Sequence, residues 1–386
     1  MGLSGPTLQA EGSIPEVSII VPARNEEASL ADCLQSLVTQ AGVEYEIIVV
    51  DDGSTDHTRA IAESFAGVRV VSPGLLPPGW TGKNNAVVAG VAVARGSWLL
   101  FTDADTVHVP GSLARALDEA KEHGVDMLSY SPEQIAVTFW EMAILPVVFA
   151  ELAREYPPKK VSDPGSSIAA ANGQYILISR EAYEAIGGHR AIAGDLLEDV
   201  ALARRVKDSG RKIRFRYAAD AVRTRMYRNF HQLREGWTKN LALLFPTPGW
   251  LAAKSLLLWG FPWAVLCWPV LMLLGAALTS QIESVVRAHT LFLSLATVGK
   301  SSWWNMIVVG GLLYVGGRLN RANFTWDMEV LGSLAGYPMF AYLLLRSLRA
   351  HATGSVSWKG RAYGSKHAVE TNKGIPNPRQ VLKTGS

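Results

Sequence analysis

Glu46-Ile-Ile-Val-Val-Asp-Asp-Gly-Ser-Thr-Asp56 decides how this chain folds. Its first half is a β-branched run of strand length. Its second half is an acidic turn, in which Thr55 or Asp56 can cap a helix that runs through Ile61 and Phe65 and stops at Gly67. A strand that enters a polar turn and then a helix is half of a βαβ unit, and the same pattern lies on either side. Upstream, Val17-Ser-Ile-Ile-Val21 leads into Pro22-Ala-Arg-Asn-Glu26, followed by Leu30, Leu34, Leu37 and Val38 at helical spacing. Downstream come Val68-Arg-Val-Val71, a Gly/Pro-rich loop, a small-residue helix face (Ala86, Ala89, Gly90, Val93, Ala94) and Trp98-Leu-Leu-Phe101. The alternation predicts an α/β domain with a mostly parallel, Rossmann-like sheet covered on both faces.

Ligands of such sheets bind beyond the carboxyl ends of the strands. Three polar clusters, Pro22 to Glu26, Asp51 to Asp56 and Thr102 to Thr106, are therefore expected on one edge. Asp103 and Asp105 stand two residues apart, and in extended chain that spacing sends both side chains to one side. Paired hard oxygens suit Mg²⁺ or Mn²⁺ bridged to a diphosphate.

Composition narrows the classes. The chain has 386 residues, 37 Lys+Arg against 34 Asp+Glu, and a net charge of +3, so nucleic acid is not an expected partner. Cys33 and Cys267 lie in segments of opposite character, which argues against a disulfide framework or a cysteine metal site. Residues 1–15 are small, polar and Gly/Pro-punctuated; they are expected to be disordered and to carry no secretory signal.

Apolar content concentrates after residue 250. Residues 255–279 lack any charge and exceed the roughly 20 residues that span a bilayer. Shorter apolar runs occupy 303–317, preceded by 290–299, and 331–345, with tryptophans near several ends. Arg346, Arg349, Lys359, Arg361, Lys366, Lys373, Arg379 and Lys383 follow, against Glu370 alone. The positive-inside rule then puts this tail in the cytosol with the head. That demands an even number of crossings, whereas three good apolar segments are present, so one stretch is re-entrant or 290–317 holds more than one element. The expected organisation is a catalytic domain at 16–245, transmembrane helices at 250–348 and a basic cytosolic tail at 349–386.

Between head and tail, Gln134 to Ala150 is apolar but interrupted by Glu141 and Pro146, which suits a core helix or an interfacial helix better than a span. Glu198-Asp199 opens a helix through Leu202 and Val206, where acids complement the helix dipole. The stretch from Arg204 to Lys239 is strongly basic, with Asp208, Asp220 and Glu235 as its acids, and suits anionic headgroups or phosphate.

Pro22-x-x-Asn25-Glu26, Val50-Asp-Asp-Gly-Ser-Thr-Asp56, Gly82-Lys-Asn-Asn85, Asp103-x-Asp105 and Leu197-Glu-Asp199, in that order, resemble the inverting family-2 glycosyltransferases of GT-A fold over residues 16 to 245. The resemblance implies that Pro22, Asn25, Glu26, Asp52 and Asp103 surround a nucleotide-sugar donor, UDP-sugars first, with Lys83 near its diphosphate. It implies that Asp103 and Asp105 handle a divalent cation. Asp199 would be the general base and Glu198 its orienting neighbour; a helix N-terminus should depress the Asp199 pKa, leaving placement to carry the catalysis. Family members carry Gln-x-x-Arg-Trp where this chain reads Gln232-Leu-Arg-Glu-Gly-Trp237-Thr-Lys-Asn240, so Arg234, Trp237 and Lys239 are candidate substitutes on the acceptor side. Pro77-Pro-Gly-Trp80-Thr-Gly-Lys83 and Trp358-Lys-Gly-Arg361-Ala-Tyr363 resemble the hopanoid-associated and carotenoid (4,4'-diaponeurosporenoate) types, with Trp80 walling the donor. That subgroup implies a multi-pass enzyme of the cytoplasmic membrane, contacting membrane lipids, facing the cytosol and glycosylating a lipid or isoprenoid. The alternatives are a processive polysaccharide synthase and a catalytically silent membrane scaffold.

Overall fold

The computed structural model describes residues 14–260 and 332–363, together with 263, 264, 324, 325 and 328. The apolar runs at 290–299 and 303–317, most of the 255–279 stretch, nearly all of 1–15 and the tail beyond Tyr363 lie outside the described residues.

The first half alternates as the sequence predicts: β1 (Val17–Ala23), α1 (Leu30–Val38), β2 (Tyr45–Asp51), α2 (Thr58–Glu63), β3 (Val68–Val71), α3 (Gly82–Val93) and β4 (Trp98–Phe101). Then follow β5 (Thr106–His108), α4 (Ser112–Glu122), β6 (Met127–Ser131), β7 (Glu133–Gln134), α5 (Phe139–Glu155), α6 (Pro158–Ser162), β8 (Ile176–Ser179) and α7 (Arg180–Ala185). After a short 3₁₀ turn come α8 (Glu198–Asp208), β9 (Ile213–Tyr217), β10 (Val222–Thr224) and α9 (Phe230–Leu244). Pro248–Gly260 forms α10, Tyr337–Thr353 forms α11, and β11 (Val356–Trp358) pairs with β12 (Arg361–Tyr363).

The main sheet runs β3-β2-β1-β4-β8-β6-β9, and β8 alone among its strands pairs antiparallel. β1 pairs β2 on one side and β4 on the other, so the strand order reverses between β1 and β4. That reversal opens a crevice at the carboxyl ends, where Ala23, Asp51 and Phe101 hand the chain to its polar loops. Period-two alternation divides the core. Ile19 and Val21 face α1, α2 and α4, while Ile20, Ile48 and Val50 face α3, α6, α7 and α8. Each fully buried aliphatic side chain of this kind contributes roughly 2 kcal/mol, so both helical layers are held firmly to the sheet.

The chain divides into two compact units. Met1–Ala136, Arg154–Pro246 and Arg349–Ser386 make the first; Val137–Ala153 and Thr247–Leu348 make the second. In the second unit, Glu141 does not interrupt the apolar run but starts it. Thr138 N–H donates to Glu141 Oε2 at 2.7 Å and Glu141 N–H donates back to Thr138 Oγ1 at 3.4 Å, a reciprocal cap at the start of α5. Pro146 is accommodated inside that helix. No single described helix is long and apolar enough to cross a membrane; α9 and α10 pass that test only as a bent pair.

The small-residue face of α3 has a packing reason. A methyl added at Gly90 would come within 2.6 Å of Ile20 Cγ2 and 3.0 Å of Val50 Cγ2, both wholly buried. Gly90→Ala is therefore expected to destabilise the domain by about 1–3 kcal/mol despite the better helix propensity of alanine, read as a lower midpoint in urea unfolding. A midpoint at or above that of the wild type would show that α3 sits less tightly on β1 and β2.

Candidate active site

The crevice between β1 and β4 gathers side chains from five segments. Lys83, in the first turn of α3, stands between two carboxylates: its Nζ is 2.6 Å from Asp103 Oδ1 and 2.6 Å from Glu198 Oε1. Burial opposes its charge, yet the two acids hold its proton and push its pKa well above the ordinary lysine value. Burial alone would raise Glu198, but Lys83 outweighs it and keeps that carboxyl below its usual range. Pro22, Val87, Phe101, Ile176 and His189 form the apolar wall around this pair.

Asp199 departs from the expectation of a depressed pKa. Its Oδ2 accepts from Gly173 N–H at 3.0 Å and its Oδ1 from Val200 N–H at 2.8 Å, and both bonds favour the charged form. Burial and the neighbouring Glu198 charge outweigh them and raise it to about 6. The helix terminus therefore positions this carboxylate without acidifying it, leaving a group that is ionised yet able to take a proton near neutrality.

Asp105 is the second raised carboxyl. Burial first, then the charges of Asp103 and Glu26, push it to about 7. Its Oδ1 is shielded from solvent and finds no hydrogen-bond partner among the described residues. Such an oxygen, repelled by two neighbouring acids, fits a cation. No group of three or more His, Cys, Asp or Glu side chains is arranged to hold a metal among the described residues. The two aspartates suit a cation that also takes oxygens from its ligand.

Beneath this loop runs a buried polar chain absent from the sequence expectations. Thr102 Oγ1 lies 3.0 Å from His108 Nε2 and donates to Gln174 O at 2.9 Å. Gln174 Nε2 donates to Thr224 Oγ1 at 3.4 Å, and Thr224 Oγ1 donates to Asp105 O at 3.1 Å. Burial lowers His108 to about 3, so it acts as a neutral strut. Nothing in the spacing of these residues reveals them, because three strands must pair before they meet.

The other expected residues divide. Asn25 takes positive φ (53°), and its Oδ1 accepts from Thr55 N–H at 2.9 Å, which ties the β1 and β2 loops together. Glu26 and Asp52 lie in the crevice, where they meet Lys359 and Arg361 of the β11–β12 hairpin. Arg24, not anticipated, donates from Nη1 to Asp52 O at 2.5 Å. Trp80 sits half-buried just before the Thr81 cap of α3. On α9, Lys239 senses Glu198, Lys83, Asp103 and Asp199, and burial lowers its pKa. Trp237 instead packs edge-on against Tyr227 in the core, and Arg234 is half-buried on the same helix. Of the acceptor-side candidates, Lys239 is in electrostatic reach of the acids.

A crevice at the strand switch, a lysine bridging two acids and a buried carboxylate of raised pKa beside them are the parts of a candidate group-transfer site. Residues 18–187 match the family model described as Glycosyl transferase family 2. Curated relatives named 4,4'-diaponeurosporenoate glycosyltransferase, from Staphylococcus aureus strains MRSA252 and USA300, are 28% and 27% identical over 362 residues, covering 90% of this chain and 88% of theirs. Among solved structures, a mannosyltransferase from Pyrobaculum calidifontis in complex with GDP-Man and Mn²⁺ aligns with a TM-score of 0.45 and 19% identity, covering 81% of this chain and 86% of that one. Residues 18–187 thus match a family-2 glycosyltransferase domain, built here on a mostly parallel Rossmann-like sheet, and the protein is a glycosyltransferase.

Proposed function

We propose that the protein moves a sugar, with inversion, from a nucleoside-diphosphate sugar to a lipophilic acceptor, with Asp199 as general base. The observation that carries this reading is the placement of Asp199, ionised but poised near 6, beside the Glu198–Lys83–Asp103 group. Gly173 lies over the same spot. A Cβ there would stand 3.1 Å from Lys83 Nζ, 3.3 Å from Glu198 Oε1 and 3.6 Å from Asp199 Oδ2, so the absent side chain leaves room where an acceptor oxygen would meet the base.

In this mechanism Asp199 takes the proton of the acceptor hydroxyl as its oxygen bonds to the anomeric carbon. The bond from that carbon to the diphosphate breaks on the opposite face, and the nucleoside diphosphate leaves with the electron pair. Glu198 holds Lys83, and two of the three ammonium donors are committed to Asp103 and Glu198; the third can meet the leaving phosphate. Asp103 and Asp105 would hold a divalent cation, Mg²⁺ or Mn²⁺, which supplies charge neutralisation on the diphosphate.

The lipophilic acceptor is supported by the carotenoid-type glycosyltransferases among the curated relatives and by exposed apolar side chains. Phe139 and Trp140 on α5, and Trp250 and Leu257 on α10, stand 37–66% exposed. Such side chains suit the interfacial zone of a bilayer. The cytoplasmic-membrane location, with the domain facing the cytosol, rests on the charge pattern of the sequence. UDP-sugars come first as donors.

Incubating the purified full-length chain with UDP-sugars, Mn²⁺ and membrane lipid extract, and following both UDP release and lipid-soluble sugar, tests the reading. Asp199→Asn should bind UDP as the wild type does and turn over at least about a hundredfold more slowly. Wild-type turnover in that variant would remove Asp199 from the mechanism. Because burial and Glu198 raise the Asp199 pKa and Lys83 opposes them, the base protonates as pH falls through about 6. The wild-type kcat/KM is accordingly expected to drop about tenfold per unit below that point. A profile flat down to pH 4.5 would contradict it. Gly173→Ala adds a methyl among the three charged groups, at ordinary or slightly tight contact distance; its Tm should stay near that of the wild type while kcat/KM falls at least about tenfold. Unimpaired activity would show that the acceptor approaches from elsewhere.

A further inference from the structure

The hairpin formed by β11 and β12 meets the crevice acids, yet the catalytic reading leaves it without a task. Its two-residue loop, Lys359-Gly360, has positive φ at both positions (46° and 76°), as a tight hairpin turn requires. That turn carries the Lys359 ammonium onto the Glu26 carboxylate. Next to it Arg361 forks onto Asp52, with Nη2 donating to Oδ1 at 2.9 Å and Nη1 to Oδ2. Arg24 Nε donates to Lys359 O at 3.3 Å and its Nη1 to Asp52 O at 2.5 Å, so the same arginine braces hairpin and acid loop. Lys239 lies over the Trp358 ring, 5.3 Å from its centroid.

Charge makes the arrangement more than a clasp. Among the described residues the crevice holds Glu26, Asp52, Asp103, Asp105, Glu198 and Asp199, and the catalytic segments before residue 200 answer with Lys83, already shared between two acids. A diphosphate entering that field would meet net repulsion. Arg361 sits where an anion is wanted: its guanidinium fills the space over Gly82, the first residue of α3, and a side chain there would collide with it. The start of α3 presents the positive end of the helix dipole, with Thr81 Oγ1 capping the Asn84 N–H. A cation rests there because Asp52 holds its fork, and the remaining N–H donors of the guanidinium stay available to a phosphate beside that helix end.

We propose that Arg361 and Lys359 are donor-binding residues, and that the post-helical hairpin completes the diphosphate subsite of the glycosyltransferase. The ligand class is a nucleoside diphosphate or its sugar conjugate. The proposal rests on the donor chemistry proposed above and adds residues that the catalytic motifs do not contain. With the hairpin seated, Arg361 keeps one edge on Asp52 and offers the other to the diphosphate, while Lys359 offsets Glu26.

Full-length protein in detergent, with Mg²⁺, is titrated calorimetrically with UDP, GDP, uridine and guanosine. Arg361→Ala is expected to weaken the nucleoside diphosphate that binds the wild type by at least about tenfold and the matching nucleoside by much less. Lys359→Ala should act in the same direction, and Arg361→Lys, which keeps charge but loses the fork, should fall between wild type and Arg361→Ala. Thermal melting of each variant separates loss of fold from loss of phosphate contact. Equal affinity of Arg361→Ala for the diphosphate overturns the proposal, and tighter binding overturns it too by making the hairpin an obstruction. An equal loss for diphosphate and nucleoside reduces Arg361 to a prop for Asp52 and overturns it as well. If the wild type binds neither diphosphate, the donor reading falls and this proposal with it, an outcome distinct from the other three.

Discussion

Carboxylate crowding is the constraint on which the rest of this site depends. A parallel sheet whose strand order reverses between β1 and β4 brings several loop acids to one edge, and their mutual repulsion must be offset or stored. Lys83 offsets part of it by lying between Asp103 and Glu198, which links the end of β4 to the start of α8 through one ammonium. Burial, joined by the repulsion that Lys83 does not neutralise, raises proton affinity: Asp199 stands near 6 and Asp105 near 7. The two raised carboxyls differ in their surroundings. Asp199 receives backbone N–H bonds that fix its direction, as a base requires, whereas Asp105 presents an unpartnered oxygen, as a cation ligand requires. In the proposed mechanism one electrostatic field would supply two chemical tasks, because hydrogen bonding differs at the two positions.

Much of the sheet was legible because its signals are local. Val68 to Val71 and Trp98 to Phe101 are strands over the residues that their apolar runs predict, and β1 and β2 extend only slightly beyond theirs. The acids at the strand ends were legible for the same reason, since a strand followed by a polar turn says where its side chains emerge. A helix is expected in the run from Gln134, and α5 is one; Glu141 reads there only as an interruption that argues against a span. It is the partner of Thr138 in a reciprocal cap, and the Thr-x-x-Glu spacing was there to be read. The Asp199 pKa was misjudged by weighing the helix dipole, an effect of about 0.3–1 kcal/mol, without the burial and like-charge repulsion that exceed it. Non-local pairings were beyond reach. The Thr102–His108–Gln174–Thr224 chain joins segments up to 122 positions apart (224 − 102), and Arg361 meets Asp52 at a separation of 309 positions.

The position of the hairpin in the chain has a consequence for how the enzyme is built. The segments that supply the base, the bridging lysine and the paired aspartates are complete by Asp199, and the family match ends at residue 187. Yet Lys359 and Arg361 return to the first unit only after the chain has passed through the second, at Thr247–Leu348. A domain cut after residue 246 would retain every carboxylate of the proposed mechanism and lose Lys359 and Arg361, which pair with Glu26 and Asp52. Its crevice would be more negative than that of the full chain, and an incoming diphosphate would lose two of the cations that now face the acids. The donor site is therefore a property of the folded whole, with the apolar segment lying in sequence between its acidic and basic halves. In a protein proposed to take a soluble donor and a lipophilic acceptor, that order makes assembly of the donor pocket contingent on the passage of the chain through the segment that would meet the acceptor's solvent.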